Sequence, residues 1–325
     1  MMLCLGIEST AHTFSIGIID STGKIWADQR DMVTTEEGGI IPSAAAAHHR
    51  QIKDKLIKKA LREANLKLEE IDIFAFSQGP GLAPSLLVGK ETVKELAQKT
   101  NKPIVGVNHL VAHLEIGKLL TKAKDPVFVF VSGANTQIIA YEGERYRIFG
   151  EALSVGLGNA LDKFGRGIGL GFPAGPKIEE LAKKGKYVEL PYSVKGMDVE
   201  FSGIVTHALD LVKKGVSKED VCFSLQETGF AMLAEVTERA LAHTGKKEAL
   251  LIGGVAANKR FNAMLRIMCE ERDATFFECP MKYTGDNGVM IAWLGVIQYQ
   301  AGYNIVKEGD INPKWRVEEI PVTWF

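Results

Sequence analysis

The chain has 325 residues, 46% hydrophobic and 24% charged, ordinary values for a globular protein long enough for two domains or lobes. Its 39 lysines and arginines against 40 acids leave a formal net charge of −1, which excludes a general basic excess for gripping nucleic acid. No apolar run can span a bilayer and no signal peptide is evident. Cys4, Cys222, Cys269 and Cys279 form no C-x-x-C pair, so the expectation is a cytoplasmic chain with free thiols.

In chain order, strands are expected at Leu3 to Ile7, Ser15 to Asp20 and Lys24 to Asp28, a β-meander with a turn at Ser21-Thr22-Gly23. Helical periodicity covers Ser43 to Asn65, where Lys53, Lys55, Lys58, Lys59 and Arg62 form either a basic docking face or an ordinary solvated one. A second basic group, Lys183, Lys184 and Lys186, lies near a turn. Ile71 to Ser77 reads as a buried strand ended by Gly79-Pro80-Gly81, followed by a helix from Pro84 to Thr100 and a strand from Pro103 to Val107. The plan then restarts: strands at Val127 to Ser132, Gln137 to Glu142 and Arg145 to Glu151, then helices, then a strand at Ala249 to Gly253. This repeated order predicts an α/β, duplicated two-lobe fold with an interlobe cleft. Residues 1–124, joined by a C-terminal helical region 289–325, form one lobe, and 125–288 form the other.

His109 and His113 stand four apart where a helix is expected to leave a strand end, so both imidazoles share a face and can reach one metal ion. Two histidines at this spacing also occur as satisfied core side chains. Leu110 occupies the place where a zinc-protease helix carries its glutamate base, so this helix supplies no such base. Asp286, in Tyr283-Thr284-Gly285-Asp286-Asn287-Gly288, is either the N-cap of the last helix or a third ligand completing a set suited to iron, zinc or manganese.

Three glycine loops follow in the second half: Ser132-Gly133-Ala134-Asn135-Thr136, Gly171-Phe172-Pro173-Ala174-Gly175-Pro176 and Gly253-Gly254-Val255-Ala256-Ala257-Asn258. Each is expected beside a strand end, with backbone N–H groups free to converge on phosphate oxygens and a helix start after the third. Asp162 and Glu179 lie near them and could accept ribose hydroxyls or simply charge helix starts. A nucleotide is the expected ligand.

These stretches, with Gly6-Ile7-Glu8-Ser9-Thr10-Ala11-His12-Thr13, Phe76 to Gly81, Gly106 to His113, Leu190 to Asp198 and Phe201-Ser202-Gly203, resemble the universal tRNA N6-adenosine threonylcarbamoyltransferase family. The likeness is strongest to the archaeal and eukaryotic catalytic subunit of the KEOPS complex and covers essentially the whole chain. It implies an actin/hexokinase-like fold and transfer of threonylcarbamoyl from threonylcarbamoyl-AMP to N6 of adenosine 37 in tRNAs reading codons that begin with A. It implies one divalent metal, iron or zinc, on His109, His113 and Asp286. It implies an adenine nucleotide, ATP or threonylcarbamoyl-AMP, against Phe130, Val131, Ser132, Gly133, Ala134, Asn135, Asp162, Gly175, Glu179 and Asn258. Its partners would be tRNA, a separate small kinase-like ATPase and small dimerisation or accessory subunits, with no membrane.

The chain departs from the family pattern at several places. Phe130 replaces a tyrosine near the metal. Ala83, Ala134 and Ala174 stand where glycine is expected, and Gly165 where alanine is expected. An ATP-dependent phosphotransferase or ATPase of the same fold, a metalloprotease and a non-catalytic scaffold are the competing readings.

Overall fold

Leu3–Glu8 (β1) is buried at every position, so it alternates no polar face and must be covered on both sides. It pairs antiparallel with Thr13–Asp20 (β2), which pairs with Ile25–Met32 (β3). Pro42–Ala64 (α1) follows. Then come Ile73–Gly79 (β4), Ala83–Thr100 (α2), Ile104–Asn108 (β5) and His109–Thr121 (α3). Strands β4 and β5 add in parallel beside β1. The computed structural model describes residues 1–33, 41–307 and 309–324.

The order then repeats. Val127–Val131 (β6), Thr136–Glu142 (β7) and Arg145–Glu151 (β8) are a second meander. Helices Leu157–Gly167 (α4) and Gly175–Ala182 (α5), the small hairpin Val194–Lys195 (β9) and Asp198–Val199 (β10), and helices Ser202–Lys213 (α6) and Lys218–Thr244 (α7) come next. Glu248–Ile252 (β11), Lys259–Glu271 (α8) and Thr275–Glu278 (β12) complete this set, with β11 parallel to both β6 and β12. Last come Gly288–Gln300 (α9) and Ile305–Val306 (β13).

The two large sheets run β13-β5-β4-β1-β2-β3 and β12-β11-β6-β7-β8. Apart from the short β13, the strand plan is the same, as the repeated order predicts. The chain divides into two units: Met1–Leu119, Gly143–Tyr146 and Asp286–Phe325, and Leu120–Glu142 with Arg147–Gly285. Asp286 therefore groups with the first unit rather than with 125–288. The close seating of α9 on β1 and β2 explains this. A Cβ on Gly6 would lie 2.2 Å from Ala292 N, and one on Gly17 would lie 2.1 Å from Val289 N.

In the first unit Leu5, Ile7, Phe14, Phe74 and Phe76 are wholly buried in one apolar cluster. In the second, β6 contributes Val127, Val129 and Val131 to a cluster with Phe164, Phe230 and Phe261. Each buried side chain of this size stabilises its unit by about 1.5–3 kcal/mol.

Two expectations need correction, and one strand had none. The region 289–325 is not one helix. Helix α9 ends at Gln300, and the described residues beyond it hold only β13 and a 3-10 turn at Val317–Glu319. The loop 171–176 lies between α4 and α5, not beside a strand end. Strand β12 gave no expectation because none of its four residues is buried.

Candidate metal centre and glycine loops

Asn108 ends β5, and its Oδ1 accepts the N–H groups of Leu110 (2.9 Å) and Val111 (3.1 Å). This side chain meets the unpaired donors of the first turn, so α3 begins directly at His109. One turn later His113 lies on the same face. The two rings stand edge to face, with centroids 4.8 Å apart. Asp286 comes from just before α9. It does not cap that helix: Asn287 accepts the Met290 N–H at 2.9 Å, leaving the Asp286 carboxylate free to face the histidines.

Asp286 Oδ1 lies 3.3 Å from His113 Nε2 and 3.5 Å from His109 Nε2. One ligating atom from each of the three residues lies within 4.8 Å of the others. His109 and His113 are buried and Asp286 is nearly so. His109 Nδ1 donates to Glu8 Oε2 at 2.9 Å, and Glu8 Oε1 accepts the Thr10 N–H at 2.6 Å. A carboxylate only accepts, so this bond places a proton on Nδ1 and makes Nε2 the nitrogen that faces Asp286 and is available to an ion in exchange for its proton. The donor set therefore fits a divalent ion: two imidazoles and a carboxylate, buried, with one imidazole oriented from behind.

The charges agree with that fit. Burial alone would lower the His109 pKa, but the Glu8 and Asp286 carboxylates outweigh it and push it up to about 9. Burial, aided by His109, holds His113 below its ordinary value despite its hydrogen bond to Asp286. Burial opposes ionisation of Asp286, yet the two histidines hold its carboxyl well below the usual carboxylate range. The cluster is an anionic recess built to accept positive charge. Glu8, which no spacing rule singles out in the sequence, is the residue that holds His109 from behind. Its signal was an acid at the end of an otherwise apolar strand.

In the second unit the first and third glycine loops meet at the carboxyl ends of β6 and β11. Gly253 has φ +97°, and a Cβ there would lie 2.3 Å from Val131 O. Ser132 and Asn135 close a tight turn, Ser132 N–H to Asn135 O at 2.8 Å. The start of α4 rests on this turn, with Asn159 N–H donating to Gly133 O at 2.8 Å. Ala134 avoids positive φ, so its methyl is accommodated. Phe130 and Val131 are buried within β6. Ala83 opens α2, with Pro84 beside it in the first turn.

The other nucleotide candidates hold helix starts together. Asp162 Oδ1 accepts the Ala174 N–H at 2.8 Å, just before Gly175 opens α5. Glu179 Oε1 accepts the Lys259 N–H at 2.9 Å. Asn258 caps α8 through Phe261 N–H at 3.1 Å and donates to Gln226 Oε1 at 2.9 Å. Asp162, Gly175, Glu179 and Asn258 thus form one α4–α5–α8 junction. Among the basic candidates, Lys53 pairs with Glu95 and Lys183 with Glu180. All four cysteines are free and buried, and no described helix is long and apolar enough to cross a membrane.

The fold is shared with solved structures of the actin-like class. T. kodakarensis HypF superposes with a TM-score of 0.62 at 16% identity, covering 93% of this chain and 48% of that one. Component A of (R)-2-hydroxyglutaryl-CoA dehydratase from Acidaminococcus fermentans gives 0.56 at 15% identity, over 91% and 98% of the two chains. Residues 24–293 match the family described as tRNA N6-adenosine threonylcarbamoyltransferase, and the chain belongs to that family. A relative of that name from Thermococcus sibiricus is 54% identical over 99% of this chain and 100% of its own length. A Methanobrevibacter smithii relative, named a probable bifunctional tRNA threonylcarbamoyladenosine biosynthesis protein, is 53% identical over 100% of this chain; the chain spans 60% of its length.

Proposed function

We propose that this chain transfers a threonylcarbamoyl group to N6 of an adenosine in tRNA, with a divalent metal on His109, His113 and Asp286. The single observation behind this reading is the buried three-ligand cluster, oriented by Glu8, in a chain of this family. The donor is threonylcarbamoyl-AMP and the acceptor is adenosine 37. Iron and zinc both suit the ligand set.

When bound, the ion supplies Lewis-acid polarisation of the acyl carbonyl. The protein's own part is orientation. Glu8 holds the His109 tautomer, and Asn108 fixes the turn that carries both imidazoles. An exocyclic adenine amine is a weak nucleophile, so holding donor and acceptor in place supplies much of the rate. The carbamoyl C–O bond to the adenylate phosphate breaks with its electron pair leaving on AMP, the C–N6 bond forms, and the proton lost from N6 passes to water. The glycine loops at the ends of β6 and β11 take the adenylate, where backbone N–H groups stabilise the departing phosphate. On this reading the transfer is direct, from the adenylate to N6.

Partners on this reading are tRNA, a kinase-like ATPase and small accessory subunits. The bifunctional names of the longer relatives support a shared biosynthetic machinery. The test is nucleoside mass spectrometry of tRNA incubated with the protein, its accessory subunits, the donor and metal. Threonylcarbamoyladenosine made by the unsubstituted chain and not by His113→Ala supports the reading. Its absence alongside continued ATP hydrolysis favours an ATPase or phosphotransferase.

A further inference from the structure

Past α9 and β13 the chain runs through residues 312–324 with no strand and only the 3-10 turn at Val317–Glu319. Val317, Ile320 and Val322 are buried along it, so its course is set by what it grips. It grips the supports of His109 at three places.

At the head of α3, Asn108 Nδ2 donates to Trp315 O at 3.2 Å, while the same side chain's Oδ1 caps the turn that begins at His109. Midway along α3, the buried Glu115 accepts Trp324 Nε1–H at 2.9 Å and the Tyr146 hydroxyl at 2.5 Å. At the end of β4 Asn312 N–H donates to Gln78 O at 2.8 Å, and in the loop after it Gly81 N–H donates to Pro313 O at 3.2 Å. That loop in turn braces Thr10. Leu82 N–H donates to Thr10 O at 2.8 Å, and a Cβ on Gly81 would lie 2.6 Å from the same oxygen. Thr10 holds Glu8, and Glu8 orients His109.

We infer that residues 312–324 are a positioning strap for the ligand helix α3, so that metal affinity at His109, His113 and Asp286 depends on the strap's contacts. This rests on the metal reading proposed above. Asn108, Glu115 and Trp324 are positioning residues: none belongs to the ligand cluster, and each acts through the turn or helix that carries the ligands. A strap with this role tunes how tightly the ion is held without altering the ligand set. Any partner that lifts it weakens metal binding from a distance.

The test is Co²⁺ titration of the full chain followed by its visible absorption, with the metal-free urea midpoint measured on the same samples. Trp324→Ala removes both the N–H and the ring; Trp324→Phe keeps a ring and removes only the donor. The expected result is Co²⁺ bound on the order of 10-fold more weakly by Trp324→Ala, with a changed band shape, in samples that the metal-free urea midpoint shows to be still fully folded at the titration condition. Trp324→Phe is expected to fall between. If Trp324→Ala does not fold, Trp324→Phe decides the question by the same readouts. Dissociation constants within twofold of the unsubstituted chain in the folded variants overturn the strap. If the unsubstituted chain takes up no Co²⁺, the metal reading itself fails and the strap's role falls with it.

Discussion

Glu8 sets the orientation of His109 in the proposed metal site. Its carboxylate is wholly buried, held by Thr10 on one oxygen and bonded to His109 Nδ1 on the other. Removing its charge while keeping its size frees the ring to change tautomer, and Nε2 is then no longer held as the nitrogen offered to an ion. Glu8→Gln is expected to weaken metal binding by about 10–100-fold, the range for groups behind a metal-bound histidine, with the ligand set intact. Equilibrium dialysis with Zn²⁺ checks this; affinity within threefold of the unsubstituted chain contradicts it. His109 and His113 could be found in the sequence because helical spacing is a one-dimensional signal. Glu8 lies 101 positions away from its partner, and no spacing rule reports a contact made by sheet pairing.

A second residue carries a pH dependence. His49 is wholly buried on α1, with Nε2 3.0 Å from Ala11 O, and burial pushes its pKa down to about 4. The unfolded chain binds this proton near its ordinary value of 6.5, so between about 4 and 6.5 the unfolded state holds more protons. Stability from neutral His49 is therefore full above pH 6.5 and is lost as pH falls toward 4. The loss by pH 4.5 is about 2–3 kcal/mol. Urea midpoints at pH 7.5 and 4.5 should differ less in His49→Gln than in the unsubstituted chain. An equal fall in both would refute the assignment.

At the scale of elements, close packing decides more than propensity. Helix α9 lies so near β1 and β2 that a Cβ on Gly288 would meet Gly17 N at 2.2 Å. Backbone cannot yield as a side-chain tip can. Gly17→Ala is expected to cost at least 1–3 kcal/mol, as overpacking does, and to shift Asp286 with the helix it precedes. Chemical denaturation together with metal affinity checks both parts.

Two departures from the family pattern explain each other in the same way. A Cβ on Gly165 would lie 2.2 Å from the Cβ of Ala174, so the missing methyl in α4 makes room for the extra one before α5. Gly165→Ala alone should cost about 1–3 kcal/mol, and adding Ala174→Gly should recover most of it. Additive losses in that double-mutant cycle would show that the two sites are independent.

The strands of both meanders, α1, α2 and the start of α3 were legible in the sequence because each has a clear apolar period or a glycine and proline boundary. The hairpin β9–β10 and strand β12 were not. They are short, and the residues of β12 are partly or fully exposed, so no apolar pattern marks them. Asp286 and Asn287 differ by one residue, and only the built helix shows that Asn287 is the cap and that Asp286 faces the histidines.

At the scale of the whole chain, the repeated strand order and the solved structures of the same class agree on an actin-like fold, and the family match names the reaction class. The proposed metal ligands all belong to the first unit, and the glycine-loop junctions to the second. The near-zero net charge gives the chain no general basic excess, so on the proposed reading part of the tRNA surface comes from partner subunits.

The most direct test of the metal's part in the reaction is a titration of metal-free protein with Fe²⁺ or Zn²⁺, scoring threonylcarbamoyl transfer to tRNA at each step. The account predicts that transfer rises linearly, stops at one ion per chain, and stays at background throughout for His113→Ala. Full transfer by chelator-treated protein, or a normal titration curve for His113→Ala, would contradict it.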